Sequence, residues 1–202
     1  MSLEAISIKP QNSEPKNILV MLHGWGANAE DLAPLSSMLN LPDYQLLFPN
    51  APFPHPEVPG GLAWYALDTG KYEGIDESRQ MLKDWLLSLE ENTGIPLSRT
   101  ILSGFSQGGA MSLDVGINFP LAGICSLSGY LQFQPQKLAS ILPPILIIHG
   151  KNDMVVPLEM AKKARDKLTA IDAKIEYYEL AMGHEIPANI LPIFEKFIKA
   201  NN

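Results

Sequence analysis

The pentapeptide Gly104-Phe105-Ser106-Gln107-Gly108 has the G-x-S-x-G pattern of a nucleophile elbow. It follows a short apolar segment ending at Ser103 and precedes a segment compatible with a helix. A nucleophilic serine sits in a strained turn at such a junction, and its flanking glycines avoid clashes that a β-carbon would cause. The pattern predicts that Ser106 is a nucleophile, and the alternative is an ordinary serine in a glycine-rich turn.

A serine nucleophile needs a general base, and the chain has four histidines. His184 follows the last predicted strand, where a loop can place its side chain over the serine, so it is the first candidate. His55 lies in a proline-rich segment and is the second candidate for the base. The alternative is that His55 lines the entrance of the site. His23 and His149 end predicted strands and are expected to be buried, hydrogen-bonded residues.

The base in turn needs a carboxylate that fixes its tautomer and stabilises its charged form. Asp153 comes just after the carboxyl end of a predicted buried strand, where ligand sites of open parallel sheets gather. The order Ser106, Asp153, His184 along the chain is the order expected for α/β-hydrolases. These three residues are therefore the predicted catalytic triad.

Attack on a carbonyl also requires donors for the negative charge that develops on oxygen. The backbone N–H of Gln107, directly after the nucleophile, is one predicted donor. The loop after the first long apolar segment contains Gly24, Trp25 and Gly26, and its glycines allow the Trp25 N–H to turn inward as the second donor. The alternative is a tight turn in which Trp25 serves only in packing.

The elements that must position these residues follow from the apolar pattern. Short apolar segments closed by Gly or Pro predict strands buried on both faces of a parallel sheet, and the last one alternates as an edge strand would. The predicted strands cover residues 17–23, 44–49, 99–103, 121–127, 145–149 and 174–180. Helical stripes lie between and after them. The pattern indicates one α/β domain over residues 1–202, with a long loop at residues 50–73.

Composition restricts the function further. The chain has 202 residues, 46% of them hydrophobic, and a net charge of −7, which argues against a nucleic-acid partner. The N-terminal residues show no secretory signal, no apolar run is long enough for a membrane span, and Cys125 is the one cysteine. We therefore expect a cytoplasmic protein. Without an H-E-x-x-H motif or a Cys–His cluster, no metal or cofactor is expected.

The motifs LHGWGAN, FPNAP, GLAWY, GFSQGG, HGKNDMVVP and MGHE resemble, in order and spacing, those of the small carboxylesterases. This family groups carboxylesterases with acyl-protein thioesterases and lysophospholipases. The resemblance covers nearly the whole chain and implies an α/β-hydrolase fold, with a mostly parallel central sheet, helices on both faces and no large lid domain. It implies the same triad and the same oxyanion donors that the residues themselves predict.

The resemblance also implies residues of an acyl pocket. Tyr130 and Val155 match positions that line the acyl channel in acyl-protein thioesterases, and Trp64 and Tyr65 match the region covering the acyl tunnel. The prolines before Trp64 are expected to stiffen the approach to this roof. Relatives often carry Leu or Tyr at the position of Trp25, whose indole could narrow the pocket or form one of its walls.

The expected activity is two-step hydrolysis of a small or lipid-like acyl ester through an acyl-enzyme on Ser106. Two alternatives stay open at this point. The same triad could act on acyl-protein thioesters or lysophospholipids, or the chain could be a non-catalytic binding protein on the same fold. A homodimer is possible on the sequence, although no specific apolar patch predicts one.

Overall fold

The computed structural model describes residues 3–11, 13–135 and 142–201. Nine strands are found there. They are β1 (Ala5–Ile8), β2 (Asn17–Leu22), β3 (Tyr44–Pro49), β4 (Phe53–Pro54), β5 (Leu62–Ala63), β6 (Thr100–Phe105), β7 (Gly123–Leu127), β8 (Ile145–Gly150) and β9 (Ile175–Leu180). Seven strands form one central sheet in the order β1-β3-β2-β6-β7-β8-β9, while β4 and β5 form a separate hairpin.

The central sheet is parallel from β3 to β9, and only β1 runs antiparallel to its neighbour. The sequence of strand β2 does not alternate between apolar and polar residues, because both faces of the strand are buried. Its side chains project alternately to the two faces, Ile18 and Val20 into one apolar cluster and Leu19 and Met21 into the other. Both faces are covered, so every position of the strand is apolar or buried.

Five α-helices lie in the described ranges and cover the sheet. They are α1 (Ala29–Leu32), α2 (Ile75–Thr93), α3 (Gln107–Gly116), α4 (Leu158–Thr169) and α5 (Leu191–Ala200). Helices α2, α3 and α4 contribute to one apolar cluster, and α1 and α5 contribute to the cluster on the opposite face. The predicted fold class, a mostly parallel sheet with helices on both faces and no large lid, is confirmed.

The buried face of α2 has the predicted helical spacing. Leu82, Trp85, Leu86 and Leu89 are all buried, because residues three and four apart share one side of a helix. Helix α5 begins at Leu191, which places Pro192 in its first turn. Proline is tolerated there because a first-turn N–H has no acceptor within the helix.

Two features differ from the sequence-based expectation. Strand β1 was not predicted, because four residues with alternating exposure at a sheet edge give a weak signal. The segment predicted as a loop at residues 50–73 contains the β4–β5 hairpin. No helix in the described ranges combines the length and apolarity needed to cross a bilayer.

Candidate active site

Ser106 lies between the end of β6 and the first turn of α3 with φ 54° and ψ −117°. This left-handed φ is strained for a residue with a side chain, and it is held in place by surrounding packing. A β-carbon at Gly104 would overlap the carbonyl of Gly108, and one at Gly108 would overlap the carbonyls of Leu22 and His23. The structure thus gives a physical reason for both glycines of the elbow.

The loops after three parallel strands bring Ser106, Asp153 and His184 together. Ser106 follows β6, Asp153 follows β8, and His184 follows β9, and parallel strands end at the same edge of the sheet. The Nε2 atom of His184 lies 2.9 Å from Ser106 Oγ, and its Nδ1 atom lies 2.7 Å from Asp153 Oδ2. A continuous hydrogen-bonded path therefore joins the serine hydroxyl to the carboxylate.

The carboxylate of Asp153 is buried and well supplied with donors. Its Oδ1 accepts the backbone N–H groups of Val155 and Val156 at 2.9 and 2.8 Å, while Oδ2 accepts from His184. Burial by itself raises the pKa of this carboxyl, but the hydrogen bonds from His184 and the two N–H groups outweigh it and lower the pKa. Asp153 is therefore held as a carboxylate.

The other three histidines make contacts of a different kind. His23 and His149 are fully buried at strand ends, where His23 contacts Gly24 O and the Ala51 N–H. His149 Nε2 lies 2.8 Å from Val156 O. His55 instead packs its ring against the indole of Trp25, with 4.3 Å between the ring centroids.

The candidate oxyanion donors come from two neighbouring segments. Gln107 is the first residue of α3, so its N–H lies at the positive end of the helix and has no acceptor within it. Gly24 lies directly against Ser106, because a β-carbon there would come 3.3 Å from Ser106 Cβ. Gly26 adopts a φ of 81°, which turns the chain around Trp25.

A cavity of about 520 Å³ opens beside the serine, and its wall is mostly apolar. Ser106, His184 and Trp25 border it together with Tyr130 and Val155, the two residues that the resemblance implied for an acyl channel. The remaining lining residues are Gly24, Ala27, Leu67, Tyr72, Phe105, Gln132, Val156, Pro157 and Met160. Such a pocket suits an apolar substituent on a substrate.

The residues of segment 50–73 that line the cavity are not the expected ones. Trp64 and Tyr65, predicted to roof the site, are fully buried and lie outside the cavity lining. Leu67 and Tyr72 from the same loop line the cavity in their place. Tyr65 contacts the site indirectly, since its hydroxyl lies 2.7 Å from that of Tyr130. Leu67 and Tyr72 have no motif in the sequence that marks them.

Comparison with known proteins also points to a hydrolase. The model of the phospholipase/carboxylesterase family matches residues 3–202. The chain belongs to this family. The acyl-protein thioesterase 1 of Neurospora crassa is 31% identical to this chain in an alignment over 202 residues. The alignment covers 87% of this chain and 80% of the relative.

Solved structures agree on the architecture. A crystal structure of esterase PE8 superposes with a TM-score of 0.92 at 29% identity, and the match covers 100% of both chains. The Bacillus cereus carboxylesterase superposes with a TM-score of 0.85 over 99% of this chain and 95% of that one. Its 16% identity makes it evidence for the fold alone. The chain is thus a hydrolase of the α/β-hydrolase esterase type.

Proposed function

We propose that this chain is a serine carboxylesterase in which Ser106, His184 and Asp153 form the catalytic triad. The observation that carries the proposal is the hydrogen-bonded path from Ser106 Oγ through His184 to Asp153, with distances of 2.9 and 2.7 Å, beside an apolar cavity. All three groups border one edge of a single sheet. The continuity of that sheet also supports a single domain.

The geometry supports a two-step reaction. His184 Nε2 accepts the proton of Ser106 as its Oγ attacks the acyl carbonyl, and Asp153 stabilises the resulting imidazolium. His184 then returns the proton to the leaving alcohol, and the acyl group stays on Ser106. Water, deprotonated by His184, attacks the acyl carbon. The bond from that carbon to Ser106 Oγ then breaks, His184 returns the proton to Oγ, and the carboxylic acid is released. Each proton transfer uses the same Nε2 atom.

The negative charge of both tetrahedral intermediates falls on the former carbonyl oxygen. The N–H groups of Trp25 and Gln107 are the proposed donors for it, because Trp25 borders the cavity and Gln107 begins α3 directly after the nucleophile. Removing one such donor typically costs about 10²–10³ in rate.

The proposed substrate is a small or lipid-like acyl ester. Its acyl group would lie in the cavity against Tyr130 and Val155, where the described lining offers apolar contacts and includes neither lysine nor arginine. The alternative substrates are acyl-protein thioesters or lysophospholipids. The names of relatives support this alternative, since they include acyl-protein thioesterase 1 and lysophospholipase-like protein 1, while the likeness to esterase PE8 supports the carboxylesterase.

The test combines labelling with a substrate panel. A fluorophosphonate is expected to label Ser106, and Ser106→Ala is expected to abolish both labelling and p-nitrophenyl ester turnover with the thermal melting curve preserved. Retained turnover in that variant contradicts the triad, and failure of the wild type to label favours a non-catalytic binding protein. Matched oxygen esters and thioesters of increasing acyl length separate the carboxylesterase from its alternatives.

A further inference from the structure

Trp64 uses all its polar groups inside the protein. Its side chain is fully buried, its backbone N–H donates to Gln107 Oε1 at 2.9 Å, and its indole N–H donates to His23 O at 3.0 Å. The hydroxyl of Ser78 donates to its carbonyl. Hydrogen bonds of this kind, shielded from water, fix a residue in both position and orientation.

Two of these three partners, Gln107 and His23, belong to the two segments that supply the proposed oxyanion donors. Gln107 carries one donor on its own backbone, and its buried side chain also donates to Tyr65 O at 2.8 Å. His23 immediately precedes Gly24, in the loop that leads to the other donor at Trp25. The single residue Trp64 therefore bridges the two halves of the oxyanion hole.

Neighbouring contacts extend the bridge. The N–H of Leu62 donates to Ala27 O, and the N–H of Gly26 donates to Leu62 O, each at 2.9 Å. The segment 62–65 is thus bonded to the oxyanion loop at its first residue and to the elbow at its last two. These contacts are independent of the catalytic side chains.

The sheet alone leaves this spacing open. Strands β2 and β6 pair in register up to Leu22 and Gly104, and both Trp25 and Gln107 lie beyond that pair. Past the ladder, the two segments also touch directly, where Gly24 lies against Ser106 and Gly108 lies against the carbonyl of His23. Trp64 adds one hydrogen bond to each of the two segments, which fixes their relative orientation further.

We propose that Trp64 is a positioning residue that sets the relative placement of the Trp25 and Gln107 N–H groups. The inference rests on the proposed function, since it assumes an oxyanion between those two donors. Stabilisation by such donors depends on their being fixed before the charge develops. A displacement of about 1 Å in a catalytic arrangement can cost about 100-fold in rate.

The test is Trp64→Phe, which removes the indole N–H and keeps an aromatic ring. The matched control is Trp85→Phe, because Trp85 is also buried but lies on α2 in the apolar core. We expect kcat of Trp64→Phe to fall about 10- to 100-fold with KM changed less than about threefold. The affinity for an alkyl trifluoromethyl ketone, whose serine adduct carries an oxyanion, is expected to fall in parallel, while Trp85→Phe retains both values.

A second variant covers the case in which Trp64→Phe does not fold. Gln107→Met removes the side-chain bonds to Trp64 and Tyr65 while keeping its backbone N–H, and the same split between kcat and KM is expected. The inference is overturned if a folded variant binds the ketone as tightly as Trp85→Phe does. Wild-type protein without Ser106-dependent turnover would instead overturn the proposed function, and the inference with it.

Discussion

His184 and Asp153, 31 positions apart in the chain, meet through a 2.7 Å contact between Nδ1 and a carboxylate oxygen. The carboxylate accepts there, so Nδ1 carries a proton and Nε2 of the neutral ring is free to accept from Ser106 Oγ. This one contact therefore decides which nitrogen faces the serine. The tautomer that His184 would need in order to act as the proposed general base follows from the position of Asp153.

Asp153→Asn is expected to lower kcat by about 10⁴. The amide N–H of asparagine can donate to the ring and favour the tautomer with the proton on the wrong nitrogen. The rate of p-nitrophenyl ester hydrolysis measures the loss. Asp84→Asn, at an exposed position of α2, is the control and should keep wild-type turnover. Equal activity in both variants would remove Asp153 from the mechanism.

Burial of His23 predicts a pH dependence of stability. Burial lowers the pKa of this histidine below its ordinary value of 6.5, so the folded protein holds the ring neutral. As the pH falls below 6.5, the unfolded chain binds a proton that the folded state does not, and the free energy of unfolding decreases until the folded pKa is reached. One group contributes at most about 1.4 kcal/mol per pH unit.

Chemical denaturation between pH 7.5 and pH 5 measures this loss. His23→Gln removes the titrating ring, so its free energy of unfolding should depend less steeply on pH than that of the wild type. An identical pH dependence of the free energy of unfolding in the two proteins would show that the pKa of His23 does not differ between the folded and unfolded states.

Gly108→Ala is expected to destabilise the fold by several kcal/mol, on the order of 3 or more, because the added carbon overlaps two backbone carbonyls. The neighbouring strand end cannot yield without breaking its pairing. Thermal unfolding gives the change. Gly183→Ala is the matched control, since a β-carbon there meets no atom within 4 Å. Similar melting temperatures for the two variants would contradict the close packing at the elbow.

Met160→Trp is expected to shift the substrate preference toward short acyl chains. Met160 lines the cavity beside Ser106, and a larger side chain reduces the volume left for an acyl group. Rates on p-nitrophenyl esters of increasing acyl length measure the shift. Met154→Trp is the control, because Met154 is 92% exposed and lies outside the lining. An unchanged preference would mean that the acyl group lies elsewhere.

The sequence predicted the central sheet well because a parallel strand that is buried on both faces is a short, continuous apolar segment. The segment 44–49 is a strand with the predicted bounds, and the strand predicted at 145–149 extends by one residue to Gly150. The elbow was equally visible because its pentapeptide is contiguous in the chain, although the need for glycine at 108 comes from the distant carbonyls of Leu22 and His23. Strand β1 escaped prediction because its short, half-exposed pattern resembles a loop.

By itself the sequence determined the α/β architecture and named Ser106, Asp153 and His184, because each follows a strand end whose apolar pattern is local. Only the tertiary structure decided which loop residues line the cavity. Trp64 turns inward because its backbone N–H meets the side chain of Gln107, a residue 43 positions away. Contacts of that range leave no periodic pattern in the chain, so the orientation of an irregular loop emerges only once the sheet has brought its partners together.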